Sequence, residues 1–227
     1  MRATCLKHVS FEGPGVFATH LTTRGISLER YLVPDVGLPD DPGDLLIVMG
    51  GPMSVNNPDP WIEQETAFIR EAMQSGMPVI GICFGSQLMA KALGAQVRPG
   101  QALELGMTPI QLTEGGKRDP VFENFPESFP VFEWHGEVFD LPQDCVALAG
   151  SKVAPLQAFR YGRRAYGLLF HLEMEQSGIR ALNKECAPDL RRAGLTADQV
   201  LSGALPHLPA LHDMAGRLLD HLLSPDR

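Results

Sequence analysis

Cysteine is sparse and scattered in this chain. Cys5, Cys83, Cys145 and Cys186 are its four cysteines and none forms a CxxC pair, which argues against a zinc cluster or a disulfide framework and fits a reducing compartment. No apolar window approaches the roughly 18 residues of a membrane span. Met1 to Val9 lacks the long apolar stretch of a signal peptide, so a soluble, cytoplasmic protein is expected. Basic residues are outnumbered, 19 Lys plus Arg against 27 Asp plus Glu for a net charge of -8. Arg163-Arg164 and Arg191-Arg192 are too short to form the clustered basic face that a nucleic-acid partner would require. The phosphate-cradling pattern GxxxxGK[ST] is missing, as are internal repeats and low-complexity tracts.

What is present is ample material for a core. At 227 residues with 44% hydrophobic content, a single α/β domain over 1–227 can bury about 70 to 75% of its unfolded surface without a disulfide or metal. Pro39 to Pro42 and Pro206 to Pro209 read as loops within it, because neither is long enough to be a linker. Leu6 to Val9, Leu28 to Val33, Leu45 to Met49 and Val79 to Cys83 are short apolar runs of the kind buried in a parallel sheet. Between the last two, Trp61, Glu65, Phe68, Ile69 and Ala72 fall near one helical face, and Gly76 supplies a C-terminal stop. After residue 95 the texture turns strand-rich, with extended pieces at Thr108 to Thr113, Phe129 to Trp134, Val146 to Ala149, Leu156 to Arg160 and Ala165 to His171. The last two are joined by a Gly162 hairpin. From about residue 178 a helical addition is expected, clearest at Leu211 to Leu223.

The chemistry concentrates at Gly81-Ile82-Cys83-Phe84-Gly85. An apolar strand precedes it and the helix-like Ser86 to Leu93 follows, which is a cysteine version of the nucleophile elbow: a tight turn that lifts the reactive atom clear of the sheet and needs glycine on both sides. The helix aims its N-terminal amides at the sulfur, an arrangement expected to lower the thiol pKa. A thiolate that forms an acyl intermediate needs a histidine and a group to orient it. His171 and Glu173, two apart on an expected strand, project to one side and offer both. Gly50-Gly51-Pro52 ends another expected strand with uncovered amides, so Gly50 or Gly51 together with Phe84 N–H can form an oxyanion hole.

Four blocks in this order, Gly50-Gly51-Pro52, Gly81 to Gln87, Trp134-His135-Gly136 with Leu141-Pro142, and Tyr166 to Glu173, resemble the class I, triad-type glutamine amidotransferases, most closely the glutaminase domain of GMP synthase. The likeness covers roughly residues 44 to 176. It implies a three-layer α/β domain of flavodoxin-like type with a central mixed, mostly parallel sheet, here extended by the helical addition over about 178–227. It also implies attack by Cys83 on the glutamine side-chain amide, with a thioester intermediate and release of ammonia and glutamate. His171 would be the general base and acid, Glu173 its orienter, and Gly51 and Phe84 the oxyanion donors. Gln87 and the backbone of Gly136 and Glu137 would hold the substrate, and His135 either shapes that segment or is an ordinary loop histidine. Neither metal nor organic cofactor is implied.

Two departures leave alternatives open. Leu172 stands where the family usually has proline between the catalytic His and Glu, which frees the backbone and relaxes the placement of the two side chains. The chain also has no nucleotide-activating segment to receive ammonia. Either a synthetase on a separate chain accepts it, or the same triad hydrolyses γ-glutamyl peptides, or the protein is a non-catalytic regulatory homologue.

Overall fold

The computed structural model describes residues 1–224; the last three residues of the helical addition expected over 178–227 lie outside the described residues. The chain order is β1 (Arg2–Lys7), α1 (Val16–Thr23), β2 (Ser27–Leu32), a short α2 (Val33–Val36), β3 (Leu45–Val48), α3 (Pro60–Gln74), β4 (Val79–Ile82) and α4 (Phe84–Ala92). There follow β5 (Val97–Leu112), β6 (Ser128–Phe139), β7 (Cys145–Gly150), β8 (Ala158–Tyr161) and β9 (Ala165–Leu168), then α5 (Gln176–Glu185), α6 (Ala187–Ala193), α7 (Ala197–Ala204) and α8 (Leu208–Leu223). No helix among the described residues is long and apolar enough to cross a membrane.

One nine-stranded sheet runs in the order β2-β1-β3-β4-β9-β8-β7-β5-β6. Its first five strands pair in parallel and the rest antiparallel, so the sheet is evenly mixed where a mostly parallel one was expected. The strand-rich second half is the cause, since its short hairpin connections force antiparallel pairing. The sheet also curls: β6, last in the order, bridges back through Phe132 to His171 just beyond β9. It is therefore not the flat middle layer of the expected three-layer domain.

Burial explains the apolar runs. Leu45, Ile47 and Met49 pack into one hydrophobic cluster with α1 and the C-terminal helices, while Leu46 and Val48 pack into a second with α3 and α4. Alternate side chains of one strand thus feed cores on opposite faces, and the strand reads as continuously apolar.

Three expected boundaries move. β1 begins at Arg2 rather than near Leu6, because Arg2 pairs across the sheet with Ser27 and its guanidinium meets Glu29 and Asp41 at the surface. β5 and β6 are far longer than Thr108 to Thr113 and Phe129 to Trp134 suggest, and a register shift between Pro99 and Glu104 lets the pair continue. β9 stops at Leu168, before His171, because the chain changes partners: Leu169 N–H donates to Gln157 and His171 N–H to Phe132.

Candidate active site

The elbow forms as its glycines require. Cys83 joins β4 to α4 with φ 49° and ψ −110°, a left-handed conformation that a cysteine adopts only when its surroundings impose it. A Cβ on Gly85 would lie 2.1 Å from the Val48 carbonyl oxygen, and one on Gly81 would lie 2.4 Å from the Met89 sulfur. The turn is further tied by Cys83 N–H donating to Leu168 O (2.8 Å) and Ser86 Oγ donating to Cys83 O (2.6 Å).

His171 arrives from the bend after β9, so the expected strand alternation is not what aims it. Its backbone N–H donates to Phe132 O at 2.8 Å, which anchors the segment to β6. Its Nδ1 lies 2.7 Å from Glu173 Oε1, and both side chains are only 2% exposed. His171 Nε2 makes no hydrogen bond of its own, and the ring and the Cys83 sulfur are close enough to shift each other's proton affinity. Burial disfavours the charged ring, but the Glu173 charge and the Cys83 sulfur outweigh it and hold His171 well above the ordinary histidine range. Burial likewise pushes the Cys83 thiol up; the His171 ring and the Phe84 amide pull it down without cancelling that. The lowered thiol pKa expected from the helix N-terminus is therefore overridden by desolvation.

Cys83, His171, Gly51, Gln87, His135, Gly136 and Glu137 line one cavity of about 280 Å³. Gly50, Phe84 and Glu173 stand behind its wall. The Gly50 carbonyl is turned away toward His8 Nδ1 at 2.9 Å. Gln87 Nε2 donates to the Glu137 carbonyl at 3.2 Å, and the Glu137 side chain accepts from Ser54 Oγ at 2.9 Å. His135 is a strand residue of β6, which removes the loop readings. Its Nε2 lies 3.1 Å from Glu133 and 3.5 Å from Glu104. Glu104 itself accepts from Ser151 and Gln157. Burial raises the Glu133 carboxyl. Leu172 is 1% exposed and packs among apolar residues, so the position of the family proline serves the core here.

Sequence reasoning missed three contributors. Glu12 lines the cavity, and burial raises its carboxyl. Leu182, Cys186, Asp189 and Arg192 of the C-terminal helices form another wall, pinned where Trp134 Nε1 donates to Asp189 Oδ2 at 3.2 Å. Burial pushes the Cys186 thiol up to about 11. His8 and Glu65 pair behind the Gly50-Gly51 turn. A glutamate on the apolar face of α3 was the one available signal for that pair. Among the described residues no group of His, Cys, Asp and Glu is arranged to hold a metal ion.

Comparison with known proteins agrees with this layout. The sequence pattern of the glutamine amidotransferase class-I family matches residues 21–182. The glutamine amidotransferase-like protein YfeJ of Salmonella typhimurium is 34% identical over 201 residues, 85% of this chain and 84% of its own. GMP synthase of Thermotoga petrophila is 36% identical over 166 residues, which make up 70% of this chain but 31% of that protein. This chain therefore spans about a third of that longer relative. A crystal structure of a glutamine amidotransferase from Thermotoga maritima superposes with a TM-score of 0.89 at 27% identity, covering 99% of both chains.

Proposed function

This chain belongs to the class I glutamine amidotransferase family, and from that premise we propose that it hydrolyses the side-chain amide of glutamine through a thioester on Cys83. The observation that carries the reading is the convergence of the strained Cys83, the His171 ring and buried Glu173 on one cavity. Once the ring is neutral, Nε2 takes the Sγ proton and the sulfur adds to the amide carbonyl. Charge then builds on oxygen, and the amides of Gly51 and Phe84 receive it. Phe84 N–H is free to do so because it opens α4 and has no partner within the helix. As the C–N bond breaks, His171 returns the proton to nitrogen and ammonia leaves. Water, deprotonated by the same ring, attacks the thioester; the sulfur departs and glutamate is released. Throughout, Glu173 holds Nδ1–H, fixing the tautomer and balancing the imidazolium. Gln87 and the Gly136-Glu137 backbone are placed to hold the amino-acid end of the substrate, with His135 beside them.

The two thirds of GMP synthase with no counterpart here supports an ammonia acceptor on a separate chain. A second reading, γ-glutamyl peptide or amide hydrolysis, draws support from the extra cavity wall that α5 and α6 supply, which gives a larger leaving group surface to contact. Labelling with a glutamine-mimicking diazoketone tests the shared core: one adduct on Cys83, blocked by excess glutamine, is expected, and an unlabelled Cys83 defeats both readings. Side-by-side kcat/KM for glutamine and γ-glutamyl dipeptides decides between them.

A further inference from the structure

Behind the Gly50-Gly51 turn sits a second histidine–carboxylate pair that the chemistry above leaves unused. His8 Nδ1 lies 2.9 Å from the Gly50 carbonyl oxygen and Nε2 lies 3.0 Å from Glu65 Oε1. Both side chains are fully enclosed. A carbonyl oxygen can only accept, so Nδ1 carries a proton. An ionised Glu65 also only accepts, so Nε2 carries one too and the ring is an imidazolium. Burial works against that charge, but Glu65 and the Gly50 carbonyl outweigh it and raise the ring's proton affinity.

The position of this ring is what gives it a role. In a trans peptide the C=O and the following N–H point in opposite directions, and the structure has no cis peptide bond. Anchoring Gly50 C=O on His8 therefore turns Gly51 N–H the other way, and Gly51 lines the catalytic cavity. The turn packs directly on the histidine, since a Cβ on Gly51 would lie 3.1 Å from His8 Cβ. The ring also meets the other oxyanion donor, with its centroid 4.7 Å from that of Phe84 in an edge-on contact. Trp61 closes the far side, stacked at 5.7 Å.

We propose that His8, held by Glu65, is the positioning residue of the oxyanion hole: it aims Gly51 N–H and places a positive charge behind the peptide that receives the developing negative charge. His8 lies outside the 21–182 family match, so the family likeness assigns it nothing. The inference rests on the amide-hydrolysis reading above.

The test replaces both partners together, His8→Leu with Glu65→Leu, so that no lone charge is left buried. The kcat for glutamine should fall about a hundredfold, the scale of losing one oxyanion donor, with KM within about twofold of wild type. Alkylation of Cys83 by iodoacetamide builds no oxyanion at an acyl carbon, so its rate should stay within about twofold. His8→Gln, which keeps a donor for Gly50, should recover about tenfold of the loss. Unchanged kcat overturns the assignment, as does a parallel fall in alkylation rate, which would mark a merely structural pair. If the double variant does not fold, Glu65→Gln decides instead: about a tenfold lower kcat supports the charge, and an unchanged one overturns it. Wild-type protein inert toward glutamine and γ-glutamyl compounds would defeat the hydrolysis reading and this inference with it. Active wild type with undiminished variants defeats the His8 assignment alone.

Discussion

Replacing Glu173 with glutamine keeps a side-chain oxygen within reach of His171 Nδ1–H and removes the negative charge. The native contact is 2.7 Å long and both side chains are buried, so bulk solvent cannot substitute for the lost partner. Two unit charges centred about 4 Å apart interact by about 4 kcal/mol at an effective dielectric of about 20. All of that interaction is available to the imidazolium formed during thiol deprotonation, so kcat/KM should drop by about a thousandfold. The pH profile supplies an independent readout. A charged His171 cannot accept the Cys83 proton, and its proton affinity lies well above the ordinary histidine range despite the opposing effect of burial, with Glu173 the largest influence raising it. In wild type the acid limb of kcat/KM should therefore lie above about pH 6.5, the unperturbed value. In Glu173→Gln it should move to lower pH, because the ring sheds its proton more readily. Both quantities come from ammonia release against pH under subsaturating glutamine. Undiminished activity, or an acid limb that stays or moves upward, would refute the assignment of Glu173 as orienting group.

Three further outcomes follow from the packing. Gly85→Ala forces a methyl to within 2.1 Å of the Val48 carbonyl oxygen, so the elbow must shift; thermal unfolding should show a loss of about 2 kcal/mol or more, and glutamine turnover should fall with it. Trp134→Phe removes the hydrogen bond to Asp189 and should cost about 1 kcal/mol in chemical denaturation, with a larger change in KM than in kcat because a cavity wall is loosened. Leu172→Pro restores the residue typical of the family but deletes a 1%-exposed core side chain; a stability loss of about 2 kcal/mol in denaturant titration is expected.

The elbow was legible because its demands are local. A buried strand, a helix start and glycine on either side of a cysteine are all written within a few residues, and the crowding at Gly81 and Gly85 is the physical reason for them. His171 and Glu173 were found by residue type and spacing, yet the reasoning from strand alternation was wrong. The segment is held by one bridge to Phe132, a contact across 39 residues that no local pattern encodes. The long β5 and β6 were underread because Pro99, Gly100 and Pro130 look like strand breakers, whereas a register shift absorbs the irregularity. His8, Glu12 and the α6 wall escaped notice for a related reason. A buried His–Glu pair joined over 57 residues and a cavity wall added by helices beyond the matched motifs depend on tertiary placement alone. Desolvation of Cys83 was invisible in sequence for the same cause, and it reversed the expected direction of the thiol's shift.

The most direct measurement of the nucleophile assignment is ammonia release from glutamine and from a panel of γ-glutamyl amides and dipeptides by the purified chain, alongside Cys83→Ala. Turnover of at least one of these substrates by wild type, abolished in the folded variant, is the expected result. Intact turnover in Cys83→Ala, or no turnover of any of them by wild type, would contradict it.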